Sequence, residues 1–156
     1  DAQESRGLGD VYKRQRMKYL EIKLLSVNAT IPKRANPTDS GLDLYVSKTI
    51  HIPANTTKVV KTDIAIDLPF GYEAQVRPRS GKTLKTKLRV NFGTIDYTYN
   101  KEIGVITDNI GDEPITVEKG TRIAQLVIAP VVYPKPKQVD YFENESDRGA
   151  YGSTGE

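Results

Sequence analysis

The sequence predicts an all-β fold, a single domain of jelly-roll type with one short helix. Three observations carry this reading. Apolar and polar residues alternate at period two in several short runs, the signature of half-buried strands. Turn residues punctuate those runs about every eight to twelve positions, the rhythm of sandwiches and barrels rather than of βαβ units. One short stretch, 80–87, reads as a helix.

The elements follow in order. Residues 1–16 are polar, contain Gly7 and Gly9, and sustain no apolar period. They lack the apolar core of a secretory signal, so they are expected to be a cloning remnant, with a natural disordered arm as the alternative. Met17, the only methionine, opens the expected domain, 17–142. Leu20, Ile22 and Leu24 alternate with Glu21 and Lys23, a half-buried strand. Asn36, Pro37, Asp39, Ser40 and Gly41 make a loop. Strands are expected over 42–46 and 49–52, ending in the Pro53-Ala54-Asn55 turn. Ile64, Ile66 and Leu68 form the next strand, closed by Pro69-Phe70-Gly71, and 72–77 is another. The run 93–99 reads as a hairpin arm with Asn100-Lys101 at its turn. Strands over 103–107, 115–117 and 123–132 complete the set. Pro134 and Pro136 cannot donate ladder bonds, so an edge or crossover segment is expected there. Residues 143–156 form a polar, glycine-rich tail.

Composition narrows the function. The 156 residues suggest one domain with a real core, although hydrophobic content is a modest 37%. With no cysteine there is no disulfide framework, thiol nucleophile or thiolate metal site. The single histidine, His51, has no partner nearby in sequence, which argues for a structural or surface role and against a zinc centre. No apolar run approaches the roughly 18 residues of a membrane span. The net charge of +3 is dispersed, whereas a nucleic-acid footprint needs clustered Lys and Arg. A small anionic ligand fits this balance.

Several short motifs carry chemistry. Pro78-Arg79-Ser80-Gly81 follows a strand and opens the helix. The Arg79 fork suits phosphate oxygens, and Ser80 with the N–H groups after it suits an anion; a plain helix cap with a surface arginine fits the same residues. Asp96, in Gly93-Thr94-Ile95-Asp96-Tyr97-Thr98-Tyr99, is placed as a general base for an attacking water, or as a solvated turn residue. The Tyr99 ring suits stacking beneath a sugar or an ordinary cross-strand contact. Gln125 is polar within an apolar strand and needs a partner, either a neighbouring strand or a phosphate. The tail Arg148-Gly149-Ala150-Tyr151-Gly152-Ser153-Thr154-Gly155 has the parts of a lid over a nucleoside triphosphate, though its composition equally describes a flexible end.

These motifs, together with Ser40-Gly41-Leu42-Asp43-Leu44 and Lys119-Gly120-Thr121-Arg122-Ile123-Ala124-Gln125-Leu126, resemble in content and order those of the trimeric dUTP pyrophosphatases, the dUTPases. The resemblance runs from about Leu20 to Glu156. It implies a distorted jelly roll (β-clip) with a flexible C-terminal lid, hydrolysis of dUTP to dUMP and pyrophosphate, and Mg²⁺ as cofactor. It also implies a homotrimer with sites shared between chains, binding neither nucleic acid nor membrane. Its location would be cytoplasmic, or host-cell cytoplasm or nucleus for a viral chain. By the same resemblance Asp96 is the catalytic base and Asp43 lies near the metal, through water or by bracing the site. Arg79, Ser80 and Gly81 hold phosphates and Gln125 contacts them. Gly93, Thr94, Ile95 and Gly104 read the uracil edge, Tyr99 excludes a 2′-hydroxyl, and Asn91 positions water or base. Arg148 reaches the γ-phosphate, Tyr151 covers the base, and Ser153 and Thr154 line the lid. The chain departs from the family at Asn91-Phe92-Gly93, one residue shorter than the usual Asn-x-x-Gly, and at Asn100-Lys101, where glycine is common and Asn100 is expected to take the left-handed conformation in its place. A dCTP deaminase-like enzyme and a non-catalytic β-sandwich binding or assembly protein are the competing readings. The former needs a glutamate base that has no match near Asp96.

Overall fold

The computed structural model describes residues 17–150; the arm at 1–16 and the expected lid residues Tyr151, Ser153 and Thr154 lie outside them. The described chain is all-β apart from one short helix. The strands are β1 (Glu21–Leu24), β2 (Gly41–Tyr45), β3 (Ile50–Ile52), β4 (Thr57–Lys61), β5 (Ile64–Asp67) and β6 (Tyr72–Arg77). After α1 (Ser80–Lys85) come β7 (Leu88–Val90), β8 (Gly93–Ile95), β9 (Gly104–Asn109), β10 (Ile115–Val117) and β11 (Arg122–Pro130). Every ladder is antiparallel. The sheets run β2-β11-β6-β8, β4-β9-β7, β1-β5 and β10-β3. No helix among the described residues is long and apolar enough to cross a membrane.

Period two places the core. On β2, Leu42 and Leu44 point inward while Gly41, Asp43 and Tyr45 face the other way. On β6, Tyr72, Ala74 and Val76 are buried, and Glu73, Gln75 and Arg77 are half-buried on the opposite face. The inner faces of all four sheets meet in one cluster, with Leu44, Ile52, Ile64, Ile66, Ile103, Ile123 and Leu126 almost fully buried. Each such side chain contributes up to about 1.5–3 kcal/mol of transfer free energy. This interior fixes the sheet registers, because a one-residue slip would exchange the Leu42/Leu44 face for the Gly41/Asp43 face.

The structure corrects several expectations. The run 93–99 is not a hairpin arm: β8 joins β6 in one sheet, whereas β9 pairs with β4 and β7 in another. The reversal lies at residues 96–99, where the Tyr99 N–H donates to Asp96 O at 3.0 Å, rather than at Asn100-Lys101. Asn100 is not left-handed; among described non-glycine residues, Asn55 (φ 55°) and Asp63 (φ 54°) are. Strands β4 and β7 escaped the sequence reading. In β4 only Val60 is buried, with Val59 facing out, so alternation is masked; β7 is only three residues long. Leu24 is exposed, so β1 is less buried than its pattern implied. The helix stops at Lys85, and residues 131–140 carry no regular structure in place of the expected edge segment.

Candidate active site

Three of the motifs meet at one end of the β2-β11-β6-β8 sheet. The register sets Asp43 opposite Gln125, and Gln125 opposite Arg77, on its outward face. Beyond the end of β6 the chain runs through Pro78 into Arg79 and α1. A polar pocket of about 320 Å³ results, lined by Asp39, Ser40, Asp43, Arg79, Ser80 and Gln125, with Gly41 and Gly81 at its edge.

The pocket is charged but internally paired. Arg79 Nε lies 3.2 Å from Asp43 Oδ1, and Arg122 Nη1 lies 3.7 Å from Asp43 Oδ2. Arg79 Nη1 also donates to the Arg122 carbonyl at 3.1 Å. A single carboxylate, itself mostly buried, thus holds two guanidinium groups, Arg79 at the pocket wall and Arg122 behind it. The Asp43 N–H donates to Lys33 O at 2.7 Å, which fixes its backbone. Gln125 Nε2 donates to Pro78 O at 2.9 Å, leading the turn into Arg79. Gly41 is required beside it: a Cβ there would stand 2.2 Å from Gln125 Oε1. At Gly81 a Cβ would meet nothing within 4 Å, so that side is open. Ser80 is the first helical residue, and Arg79 is the N-cap without a side-chain capping bond. The first-turn N–H groups have no intrahelical acceptor, so the turn presents donors rather than a closed cap.

The position of Arg122 beside Asp43 is not legible from strand alternation, and the reason is geometric. Arg122 and Gln125 are three apart and belong on opposite faces of a regular strand. The register shift between Arg122 and Ala124 places Arg122 opposite Tyr45 and Gln125 opposite Asp43, and Tyr45 and Asp43 share a face. The irregularity buries both Ile123 and Ala124 and leaves Arg122 facing Asp43. Such local bulges commonly re-aim a side chain.

The remaining expected residues lie elsewhere. Ile95 pairs with Ala74, so Asp96 stands at the Tyr72 end of β6, whereas Arg79 lies past its Arg77 end. About six residues of extended chain separate the two levels, roughly 20 Å. Asp96 is exposed, and Tyr99 is 44% exposed, its hydroxyl donating to Glu102 O at 2.7 Å. Tyr97 packs edge-on against Phe70, ring centroids 5.3 Å apart, with Tyr133 completing an aromatic cluster under the turn. β8 is the edge strand of its sheet, so the outer backbone of Gly93, Thr94 and Ile95 has no strand partner among the described residues. Gly104 opens β9 opposite Lys61. The Asn91 side chain donates to Asp108 Oδ2 at 3.0 Å, tying β7 to β9. Asp108 also accepts from Thr57 Oγ1, and these bonds hold its carboxyl below the usual aspartate range. Arg148 lies in the exposed tail.

Comparison with known proteins places this arrangement. The dUTPase family model matches residues 27–155. A deoxyuridine 5′-triphosphate nucleotidohydrolase of Crocosphaera subtropica is 45% identical over 141 residues, covering 87% of this chain and 99% of the relative. The human mitochondrial enzyme of the same name is 41% identical over 137 residues, 87% of this chain and 54% of that protein. Among solved structures, a variant of the Staphylococcus bacteriophage 80alpha dUTPase with dUpNHpp has a TM-score of 0.84 at 34% identity, covering 89% of this chain and 99% of that one. A variant dUTPase from phage phi11 of S. aureus, described with a structural Mg(II) ion, has a TM-score of 0.77 at 31% identity, covering 81% and 100%.

Proposed function

The chain belongs to the dUTPase family, and from that premise we propose that it hydrolyses dUTP to dUMP and pyrophosphate at sites assembled from more than one copy of the chain. One observation carries the assembly: the Arg79 pocket and Asp96 lie at opposite ends of β6. A triphosphate seated against Arg79 in one copy therefore meets the Asp96 of another. The family resemblance favours three copies.

In this reading Arg79, Ser80 and Gly81 hold the phosphates, with Gln125 behind them. Asp43 acts as a brace, because its carboxylate is committed to Arg79 and Arg122. Asp96 takes a proton from water as the water oxygen attacks the α-phosphorus in line. The bond to the bridging oxygen breaks and pyrophosphate leaves with that oxygen. The edge backbone of β8, with Gly104, reads the uracil, since it has donors and acceptors to spare. The Tyr99 ring packs beneath the deoxyribose and leaves no room for a 2′-hydroxyl. Asn91 serves as a tie between strands. Arg148 meets the γ-phosphate while Tyr151, Ser153 and Thr154 close over the nucleotide.

The donor set fits Mg²⁺ carried on the triphosphate: among the described residues no three His, Cys, Asp or Glu side chains gather, and Mg²⁺ keeps phosphate oxygens and water as its main ligands. When bound, it neutralises phosphate charge. The test is turnover of dUTP and dCTP with and without Mg²⁺, products being resolved by chromatography. Mg²⁺-dependent release of dUMP and pyrophosphate, with dCTP inert, is expected. Deamination of dCTP, or turnover of neither nucleotide, would overturn the reading.

A further inference from the structure

Asp63 is a residue in the wrong conformation for its type. Its φ of 54° lies where glycine is the default. Aspartate reaches this region when its short polar side chain is held locally. Here every polar group of Asp63 is held. Its N–H donates to Glu102 Oε2 at 3.1 Å, and its carbonyl accepts from the Leu25 N–H at 2.8 Å. Oδ2 accepts from Ser26 Oγ at 2.7 Å, and Oδ1 faces Lys61 Nζ at 3.8 Å. The same ammonium lies 3.8 Å from Glu102 Oε1.

The other end of this network is the loop that carries the chemistry. Glu102 O accepts from the Tyr99 hydroxyl at 2.7 Å, and the Tyr99 N–H donates to Asp96 O at 3.0 Å. On either side of Asp63, buried Thr62 donates through Oγ1 to Ile103 O at 2.5 Å, and Ile64 O accepts from the Ile103 N–H at 2.9 Å. A bend of residues 62–64 therefore grips 102–103, and 102 grips Tyr99. Nothing in a simple turn requires a carboxylate at Asp63, since glycine would satisfy the backbone. Strained residues retained by surrounding bonds concentrate at functional sites.

We propose that Asp63 and Glu102, joined directly and through Lys61, with Ser26 holding the Asp63 carboxylate, form a positioning clamp that fixes the loop 96–104 and sets the Tyr99 ring for discrimination between deoxyribose and ribose. The clamp touches no substrate; it acts through Tyr99, and it rests on the reading that Tyr99 packs under the sugar. The protonation of the pair agrees with a tight contact. Hydrogen bonding to Glu102 and Ser26 holds the Asp63 carboxyl below its usual range, while burial and the nearby Asp63 push that of Glu102 up.

The deciding variants are Asp63→Gly, which accepts the same φ without a carboxylate, and Glu102→Ala beside Glu102→Gln. Two readouts separate the clamp from the reading it rests on. The first is hydrogen exchange of the Tyr99 and Ile103 amides in the nucleotide-free protein. Asp63→Gly and Glu102→Ala should speed it by about tenfold or more, with Glu102→Gln intermediate because its amide oxygen still accepts from the Asp63 N–H. The second is the ratio of kcat/KM for dUTP over UTP. It should fall by about tenfold in Asp63→Gly, mostly through kcat for dUTP as the loop loses its placement, and non-additively with Glu102→Ala. Light scattering and thermal melting check that Asp63→Gly keeps its assembly and fold. Unchanged exchange in both Asp63→Gly and Glu102→Ala would overturn the clamp. So would an unchanged dUTP/UTP ratio in Asp63→Gly when Tyr99→Ala lowers it. If exchange rises but Tyr99→Ala leaves the ratio intact, the loop is clamped and the sugar role of Tyr99 is the part overturned.

Discussion

At the residue scale, two aspartates show how neighbours decide a carboxylate's job. Asp96 is exposed and stands on a turn, open to water. Asp96→Asn should keep nucleotide binding, because an amide has nearly the same shape, and should lower kcat by at least about 10²-fold, the scale of general-base assistance. Single-turnover assays beside nucleotide-binding calorimetry check this, and near-normal turnover would remove Asp96 from the role. Asp108 is committed instead to Thr57 and Asn91, which lower its pKa. A carboxyl with a folded-state pKa below its unfolded value contributes stability that is present above the unfolded pKa and is lost as pH falls through the folded one. Melting temperature should therefore drop less steeply between about pH 5 and 2 in Asp108→Asn than in the parent at equal protein concentration. Parallel curves would show that these bonds contribute nothing.

At the scale of elements, the legible parts of the chain were those in which period two and a turn coincide. β2, β6 and β10 announce themselves, as does the Pro69-Phe70-Gly71 turn, where Gly71 takes φ 93°. Pairing was not legible. Gly93 to Ile95 looks like half of a hairpin because alternation records which face a side chain takes, not which sheet the strand joins. Ile95 is buried beside Ala74 and Val105 beside Val60, so the two arms part company. Of the expected site residues, Arg79, Ser80, Gly81 and Gln125 could be picked by chemistry and Asp43 by the family resemblance, and the five converge on one pocket. Arg122 could not, because the register shift in β11 breaks the parity on which a strand reading depends. Buried polar residues are similarly hidden. Asn109 is 1% exposed, and its Nδ2 donates to the carbonyls of Ile52, Pro53 and Glu113 while Oδ1 accepts from the Gly111 N–H. It joins the end of β9 to the β3 exit and the approach to β10. Asn109→Ala strands several buried groups and should cost about 3 kcal/mol. Asn109→Asp should cost more at neutral pH, because it aims an acceptor at three carbonyls. Urea titrations at fixed protein concentration test the order, and a milder Asp variant would contradict it.

At the scale of the whole molecule, the proposed assembly rests on the distance along β6. The pocket with Arg79 and the turn with Asp96 are fixed in one rigid sheet by the pairing of β6 with both β11 and β8. Neither side chain can cross roughly 20 Å without breaking those ladders. The tail leaves β11 at Pro130, opposite Tyr72, and so also starts far from its own chain's Arg79. It is the part of the chain best able to span copies, because 20 extended residues reach at most about 70 Å. These placements make a complementation experiment decisive. Arg79→Ala and Asp96→Asn should each give an inactive homo-oligomer, the one lacking its phosphate clamp and the other its base. When the two are unfolded together in equal amounts and refolded, chains mix at random. A site drawing Arg79 and Asp96 from different copies is intact when the first position holds the Asp96→Asn chain and the second the Arg79→Ala chain. Each condition is met half the time, so about a quarter of parental activity should return. If both residues served one site from the same chain, every site would carry one lesion and no activity would appear at any mixing ratio. Light scattering of the refolded mixture confirms that the oligomer has re-formed, so that silence in the assay cannot be blamed on failed assembly.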